Sequence, residues 1–347
     1  MYKLDKYLIE TELCDWKNEE ILRVADELKD KSADKREYAV NAFYWVRDNI
    51  YYFAEPLSKA SKILERKRGD CFTKSNLLIA LLKANDIPAR FQFQFIAGES
   101  MLDIIKLNAE VKEAKKFKFA HCIVNAMPGE RWLRVDCTRD KYLSPDRANE
   151  WDGRDDTEQH PHFVKDLEYA SDLQGYERYT GPKKFKNWMD VGNILMNAFI
   201  DEERYNNSGI RSFSEEDSAR MIEEVHDLVA KAMETKHKGD ARVVAWMMKR
   251  LFSKPLGLNV EVLECDAKKV EYLCHCCVSN DVFSHMGRYF SSLDNGIAHG
   301  INPKLEFTCK RGDDGIGHVE IINKDGGSHY LPILEIMGKG VKNLLRR

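Results

Sequence analysis

Arg68 to Leu82 read RGDCFTKSNLLIALL, in which a Gly-Asp pair ends one element and a cysteine opens the next. Four leucines follow at helical spacing and predict a helix with one apolar face against a core: Leu77, Leu78, Leu81 and Leu82. Cys71 therefore lies at or near the helix N-terminus, where unpaired N–H groups and the helix dipole stabilise negative charge. A thiol there ionises below its usual pKa and becomes a nucleophile, unless it is simply a buried cysteine that begins an ordinary helix.

The composition narrows the class of protein. With 43% hydrophobic and 32% charged residues, the 347-residue chain is typical of soluble globular proteins and is long enough for two domains. Its net charge of −3 favours neither nucleic acid nor a membrane as a partner. The first residues lack the apolar core of a signal peptide, and no run approaches the ~18 apolar residues of a membrane-spanning helix. The nine unevenly spaced cysteines fit a reducing compartment, so the sequence predicts a cytoplasmic protein.

The segments around the cysteine alternate between helical and strand patterns. Helices are predicted upstream, within residues 1–35, 35–53 and 54–68. The aromatic residues from Trp45 to Tyr52 are predicted to be core, with packing beneath a site as the alternative. Downstream, phenylalanines and glutamines alternate over residues 91–95, which predicts a strand with one buried face. The lysine-rich residues 98–118 predict a helical insertion, either a lid over a site or a solvated surface helix.

A hairpin follows, with strands over residues 119–127 and 131–138 on either side of a Pro-Gly turn. The first strand carries His121 and the second carries Asp136. These residues and Cys71 lie about fifty and fifteen residues apart, so only folding can bring them together. If it does, the imidazole takes the thiol proton, the carboxylate orients the ring, and N–H groups at the helix start hold an oxyanion. Such a site attacks an amide, ester or thioester carbonyl and passes through an acyl-enzyme.

Several flanking motifs together resemble the transglutaminase-like superfamily, a circularly permuted relative of papain-type cysteine proteases. They are Gly69-Asp70-Cys71, the leucine-rich helix, Ile87-Pro88-Ala89-Arg90, His121 at the start of a strand, Val135-Asp136-Cys137-Thr138, and the upstream helix from Phe43 to Tyr51. The resemblance covers roughly residues 35–140 and implies an α+β domain of helices and an antiparallel sheet. Carried over by position, it implies Cys71 as the nucleophile, His121 as the base and Asp136 as the orienting acid.

The chain departs from the pattern of that superfamily at two positions. Ile123 stands where an aromatic residue commonly follows the histidine, and Cys137 replaces the usual proline after the aspartate. Neither change removes a reacting group, so both bear on the shape of the substrate pocket. The thiols of Cys122 and Cys137 are predicted to be core, with accessory roles as the alternative.

The resemblance implies acyl transfer on amide bonds of peptides or proteins, without a cofactor. Hydrolysis is favoured over transamidation, because transamidation needs an amine that outcompetes water. No aspartate-rich loop supports calcium activation. Two other classes stay open: a catalytically inactive copy that binds peptides in the same groove, and a zinc- or redox-responsive regulator that uses the C-terminal cysteines.

The second half of the chain poses a separate question. Residues 144–184 are polar and rich in turns, and the pattern from residue 258 is α+β. The predicted elements are helices near 185–205, 214–236, 240–252, 266–276 and 280–293, and strands near 258–264, 304–309 and 317–322. We therefore predict a transglutaminase-like catalytic domain at 1–145, a connecting segment at 146–204 and a smaller α+β domain at 205–347.

The cysteines of the last region lack the two spaced Cys-x-x-Cys pairs of a usual zinc site, so buried core thiols are the simpler interpretation. They are Cys265, Cys274, Cys276, Cys277 and Cys309. The order of motifs in this region is a strand with Glu264-Cys265, a helix with Cys274 and Asn280-Asp281, and Thr308 with Gly312-Asp313 before a last strand. In this order, residues 205–325 resemble modules related to L-2-amino-thiazoline-4-carboxylic acid hydrolase and vinyl-reductase-type ligand-binding domains. The cysteine often seen after the Gly-Asp of those modules is missing, with His318 near that place. The resemblance therefore implies a pocket for a small molecule and not hydrolase activity there.

Overall fold

The computed structural model describes residues 4–102, 118–173, 186–234, 239–247, 259–275, 280–312 and 314–324. Contacts divide these residues into two compact units. The first unit contains residues 4–100, 118–173 and 200–211, and the second contains the remaining described residues. One helix, Lys186–Ser208, contributes residues to both units. The predicted boundaries at residues 145 and 204 stay predictions.

The first unit begins with helices, as predicted. A short 3₁₀ turn at Asp5–Tyr7 is followed by α1 (Glu19–Lys29), α2 (Lys35–Asn49), α3 (Ala60–Arg66) and α4 (Cys71–Ala84). Side chains fix the first two helix starts, because Asn18 accepts the Glu20 N–H and Asp34 accepts the Glu37 N–H. These caps satisfy backbone donors that would otherwise lack a partner.

Helix α4 is the centre of this unit. Its capping box joins the Asp70 carboxylate to the Thr73 N–H (2.9 Å) and the Thr73 hydroxyl to the Asp70 N–H (2.8 Å). Gly69 permits this geometry, since a Cβ there would lie 2.6 Å from Thr73 Oγ1. Every residue from Cys71 to Lys83 is buried, so the prediction of one apolar face was wrong: α4 is enclosed on all sides.

The buried polar side chains of α4 hydrogen-bond to backbone carbonyls of the surrounding chain. Each bond therefore satisfies a buried donor and fixes one neighbouring segment. The bonds run from Lys74 to Ile50 (2.6 Å), from Asn76 to Leu13 (2.8 Å), from Lys83 to Ile9 (2.9 Å) and from Ser75 to Cys122 (3.1 Å).

Helix α4 packs against an antiparallel sheet. Its strands are β3 (Ala89–Ala97), β4 (Lys118–Ala126), β5 (Leu133–Val135) and β6 (Phe163–Ala170), in the order β5-β4-β3-β6. The predicted hairpin is confirmed as β4 and β5. Two short strands, β1 (Tyr51–Tyr52) and β2 (Arg68–Gly69), pair in parallel directly before α4.

Strand β6 lies in the stretch that the sequence predicted to be irregular, so that prediction was wrong. β6 pairs with β3 at the edge of the sheet, and side chains of β6 and of the chain before it bond to side chains of β3. Gln94 accepts from the Gln159 amide (3.0 Å), and Gln92 donates to Asp166 (2.8 Å). Both glutamines are therefore buried, whereas their alternation with phenylalanines predicted one buried face. Of the predicted insertion, Glu99–Leu102 form a short helix, α5, and residues 103–117 lie outside the described residues.

The second unit packs helices against another antiparallel sheet. Its helices are the first part of α6 (Lys186–Ser208), α7 (Glu215–Met233), α8 (helical residues 241–247) and α9 (Asn280–Ile301). Its strands are β7 (Asn259–Cys265), β8 (Lys269–His275), β9 (Leu305–Arg311) and β10 (Ile316–Asn323), in the order β7-β8-β10-β9. Helices α7 and α9 approach so closely at Gly300 that a Cβ there would lie 2.5 Å from the Ala230 carbonyl oxygen.

The predicted helix near residues 266–276 was wrong. Residues 269–275 form β8, in which buried Val270 and Tyr272 alternate with less buried neighbours. This period of two is the strand signal, and the core contacts of the two side chains explain it. None of the helices in the described ranges is long and apolar enough to cross a membrane.

A buried ion pair joins α6 to β1 within the first unit. Arg204 Nη2 lies 2.9 Å from Asp140 Oδ2, and both side chains are fully buried. The same carboxylate oxygen accepts the Tyr52 N–H (2.9 Å), and Arg204 donates to the Tyr52 carbonyl (3.0 Å). The two members of the ion pair therefore hydrogen-bond to both backbone polar groups of Tyr52, its N–H and its carbonyl.

We predict that Arg204→Met destabilises the first unit by about 3–5 kcal/mol, because it leaves the Asp140 carboxylate buried without its guanidinium partner. Urea unfolding measures the loss. The double variant Arg204→Met/Asp140→Asn should lose less, since it also removes the stranded charge. Equal losses in the two variants would show that the ion pair is not the cause.

Candidate active site

Cys71 is the first residue of α4, and only 9% of it is exposed. One helical turn later, Ser75 donates to the Cys122 carbonyl (3.1 Å), and the Cys122 N–H lowers the pKa of the Cys71 thiol. The first turn of α4 therefore lies along the backbone of Cys122. That residue directly follows His121, the predicted base, in β4.

His121, in β4, and Asp136, the residue directly after β5, form a buried pair. His121 Nε2 lies 2.9 Å from Asp136 Oδ2. The other carboxylate oxygen accepts the Thr138 N–H (2.9 Å), and the Asp136 N–H donates to the Thr157 hydroxyl (3.0 Å). Because the carboxylate engages Nε2, Nδ1 is the ring nitrogen left to exchange a proton with a thiol.

The structure thus joins two of the three predicted site residues by a hydrogen bond and places the third beside the neighbour of His121. Within the described ranges, no hydrogen bond links the Cys71 sulfur to the His121 ring, and Cys71 is a free thiol. Catalytic hydrogen bonds are often long in structures without substrate and shorten in the complex. The Asp136 charge nevertheless raises the pKa of the Cys71 thiol.

The electrostatics of Cys71 differ from the expectation. Burial raises the pKa of the thiol well above its usual value, and the charge of Asp70 raises it further. The N–H groups of Cys122 and Phe72 lower the pKa without outweighing burial. The expected lowering at the helix N-terminus was therefore wrong for this conformation, and the resting thiol is protonated. Its deprotonation requires a base.

The pKa of Asp136, the carboxylate bonded to the candidate base, shifts in the opposite direction. Burial raises the pKa of Asp136, but the charge of His121 and the hydrogen bonds from His121 and Thr138 outweigh it. The pKa of Asp136 therefore lies below its usual range, and the group is a carboxylate at neutral pH. Asp70 differs, because burial raises its pKa to about 6.

Sequence reasoning assigned no chemical role to two residues near this site. The His160 ring centroid lies 5.4 Å from that of His121, and His160 Nδ1 accepts the His162 N–H (3.1 Å). The only signal was the His160-Pro161-His162 triplet in a stretch predicted to be irregular. Tyr52, predicted to be core, pairs with Gly69 two residues before Cys71. Burial raises the pKa of the Tyr52 hydroxyl far above its usual value.

The other cysteines behave largely as predicted. Cys122 and Cys137 are core residues of the first unit, and burial raises the pKa of both thiols. In the second unit, the prediction of a buried thiol was wrong for Cys265, which is exposed on strand β7, while Cys274 and Cys309 pack partly buried against the core. Cys276 and Cys277 lie outside the described residues. Among the described residues, no group of three or more His, Cys, Asp or Glu side chains could hold a metal ion.

A buried helix that starts with a cysteine and packs on an antiparallel sheet carrying a His–Asp pair is typical of papain-like cysteine enzymes. Residues 23–137, about a third of the chain, match the model of the Transglutaminase-like superfamily. This part of the chain is therefore a transglutaminase-like domain, which confirms the predicted resemblance and α+β fold and supports a cysteine-dependent enzyme. The match ends one residue after Asp136. No curated protein matches the chain.

A solved structure of a proposed cysteine protease from Cytophaga hutchinsonii is 18% identical to this chain, with a TM-score of 0.35. The match covers 50% of this chain and 48% of that one, so the chain spans about half the length of that protein. A likeness this low carries no argument about fold or activity. None of these comparisons tests the resemblance of residues 205–325, which stays a prediction.

The stability of the first unit should depend on the protonation of His160. Burial, together with the charge of His121, lowers the pKa of His160 to about 3, against about 6.5 in an unfolded chain. The native state therefore binds fewer protons than the unfolded state between these values, and stability falls as the pH drops through that window.

We predict that His160→Phe loses less stability than the unsubstituted chain between pH 6.5 and 4, because it removes the group that must be charged on unfolding. Urea unfolding at a series of pH values measures the difference. His162→Phe is the control, since it alters the neighbouring ring and leaves the backbone N–H that bonds to His160. Parallel pH profiles for His160→Phe and the unsubstituted chain would contradict the burial of a neutral imidazole.

Proposed function

We propose that the first unit is a cysteine-dependent acyl-transfer enzyme that acts on amide bonds of peptides or proteins. Cys71 is the nucleophile, His121 the general base and Asp136 the acid that orients the ring. The observation that carries the proposal is the hydrogen bond between His121 Nε2 and Asp136. The next residue after His121, Cys122, accepts the hydrogen bond from Ser75 in the first turns of α4, the helix that begins with Cys71. The superfamily match over residues 23–137 supports it.

The first half-reaction begins with a proton transfer from the Cys71 sulfur to His121 Nδ1. The sulfur attacks the carbonyl carbon, a C–S bond forms, and the carbonyl π electrons move to the oxygen. The Asp136 carboxylate stabilises the imidazolium that results. Backbone N–H groups at the start of α4, including that of Cys71, are donors for the oxyanion.

Collapse of this intermediate breaks the C–N bond, and His121 returns its proton to the leaving amine. The product is a thioester on Cys71. Water then attacks the thioester while His121 accepts a water proton, and the carboxylic acid leaves as the thiol is restored. We propose hydrolysis as the second half-reaction because water, unlike an acceptor amine, needs no second binding site.

The protonated resting thiol shapes this mechanism. A buried thiol whose pKa is raised does not attack spontaneously, so proton transfer to His121 must accompany attack. The same thiol is also what a catalytically inactive peptide-binding module would contain. The two functions differ in one observable: only the enzyme forms a covalent acyl group on Cys71.

We expect p-nitrophenyl acetate to acetylate Cys71 with a burst of about one p-nitrophenolate per chain, located by mass spectrometry. His121→Gln and Asp136→Asn should each slow the burst by about 10²–10⁴-fold, because they remove or disorient the general base. All variants carry Cys265→Ala, since Cys265 is an exposed thiol that would react on its own.

Cys71→Ala provides the baseline for this experiment. A burst no larger than that baseline would refute the enzyme and favour the binding module. If the burst occurs, partition of the acetyl group between water and an added primary amine separates hydrolysis from transamidation.

A further inference from the structure

The His121 ring is held by one hydrogen bond and by contact with a second ring. Its Nε2 lies 2.9 Å from Asp136 Oδ2, and within the described ranges this carboxylate is the only hydrogen-bond partner of the ring. The His160 ring packs against it, with the two centroids 5.4 Å apart and the planes tilted by 55°. A single hydrogen bond lets a ring turn about that bond, whereas a second ring in contact with it limits the turn.

The segment that carries His160 is attached to the strands on both sides of β4, since the sheet order is β5-β4-β3-β6. On the β5 side, the Thr157 N–H donates to the Arg134 carbonyl (2.9 Å). On the β3 side, the Gln159 amide donates to Gln94 Oε1 (3.0 Å), while the Arg134 guanidinium donates to Gln159 Oε1. His160 directly follows this second attachment, so its backbone is fixed relative to the strand that carries the base.

The His160 ring is fixed in orientation and uncharged. The His162 N–H donates to His160 Nδ1 (3.1 Å), so a neutral His160 ring carries its proton on Nε2. Burial, together with the charge of His121, lowers the pKa of His160 to about 3. The ring therefore stays neutral at the pH at which His121 accepts a proton, and it packs against the imidazolium without repelling it.

We propose that His160 is a positioning residue of the active site: its ring keeps His121 bonded to Asp136 through Nε2, which leaves Nδ1 for proton exchange. This inference rests on the proposed acyl-transfer function. The superfamily match ends at residue 137, so it does not assign this role. His160 takes no part in the proton transfers, which stay between Cys71, His121 and the leaving group. Its contribution is that the base is in place before substrate binds.

Substitution can remove the ring contact or restore it. His160→Ala removes the ring, and His160→Phe restores a flat ring without a nitrogen. We expect acetylation of Cys71 by p-nitrophenyl acetate to slow by about 10–100-fold in His160→Ala, because the base is no longer held in position. In His160→Phe it should stay near the unsubstituted rate. All variants carry Cys265→Ala, since Cys265 is an exposed thiol.

The tautomer of His121, measured by ¹⁵N NMR, is a readout that does not depend on turnover. In the unsubstituted chain we expect the neutral ring to carry its proton on Nε2 alone. In His160→Ala we expect a mixture of the two tautomers, and in His160→Phe the single Nε2 form again. A merely structural role of His160 would lower stability in urea without changing this tautomer.

His162→Ala is the matched control, because it removes another imidazole from the same segment and keeps the N–H that bonds to His160. It should change neither the rate nor the tautomer. A single Nε2 tautomer in His160→Ala would overturn the inference. So would an acetylation rate that is unchanged in His160→Ala or slowed in His160→Phe. If the unsubstituted chain gives no burst, the proposed function fails, and the tautomers of the same variants still decide whether His160 positions His121.

Discussion

The site depends on the docking of the first turn of α4 against the backbone of β4. The capping box of Asp70 and Thr73 fixes where the helix starts, and therefore makes Cys71 its first residue. The Ser75 hydroxyl then bonds to the Cys122 carbonyl and sets the helix start against the strand that carries His121. Asp136, directly after the neighbouring strand β5, bonds to the same ring. A change in any of these contacts would separate groups that are distant in sequence.

The burial that brings these groups together also determines their chemistry. It keeps the Cys71 thiol protonated at rest, against the pull of the helix N-terminus. The same environment strengthens the His121–Asp136 pair enough to keep Asp136 charged. Burial thus leaves the two groups in different states: the Cys71 thiol, which has no charged partner, stays neutral, and the Asp136 carboxylate, which is paired with His121, stays charged. A protonated Cys71 thiol needs a base to remove its proton, and the hydrogen bond to Asp136 holds the His121 ring in one orientation for that role.

Local sequence patterns predicted the helix start at Cys71 and the hairpin with His121 and Asp136, because each is encoded within a few residues. Strand β6 escaped prediction since it lies at the sheet edge, where its largely exposed side chains give no clear alternation. Tyr52 and His160 were assigned no chemical role for a different reason. Their positions depend on pairing with Gly69 and on the hydrogen bond from Gln159 to Gln94 of β3, which no local pattern records. The raised pKa of Cys71 likewise depends on burial by distant segments.

The most direct test of the convergence of Cys71 and His121 is ¹⁵N NMR of the His121 ring, in the unsubstituted chain and in Cys71→Ala. The account predicts that the neutral ring carries its proton on Nε2, where it donates to Asp136, and that Cys71→Ala shifts the Nδ1 resonance. A neutral ring protonated on Nδ1, or an Nδ1 resonance that does not respond to Cys71→Ala, would contradict the account.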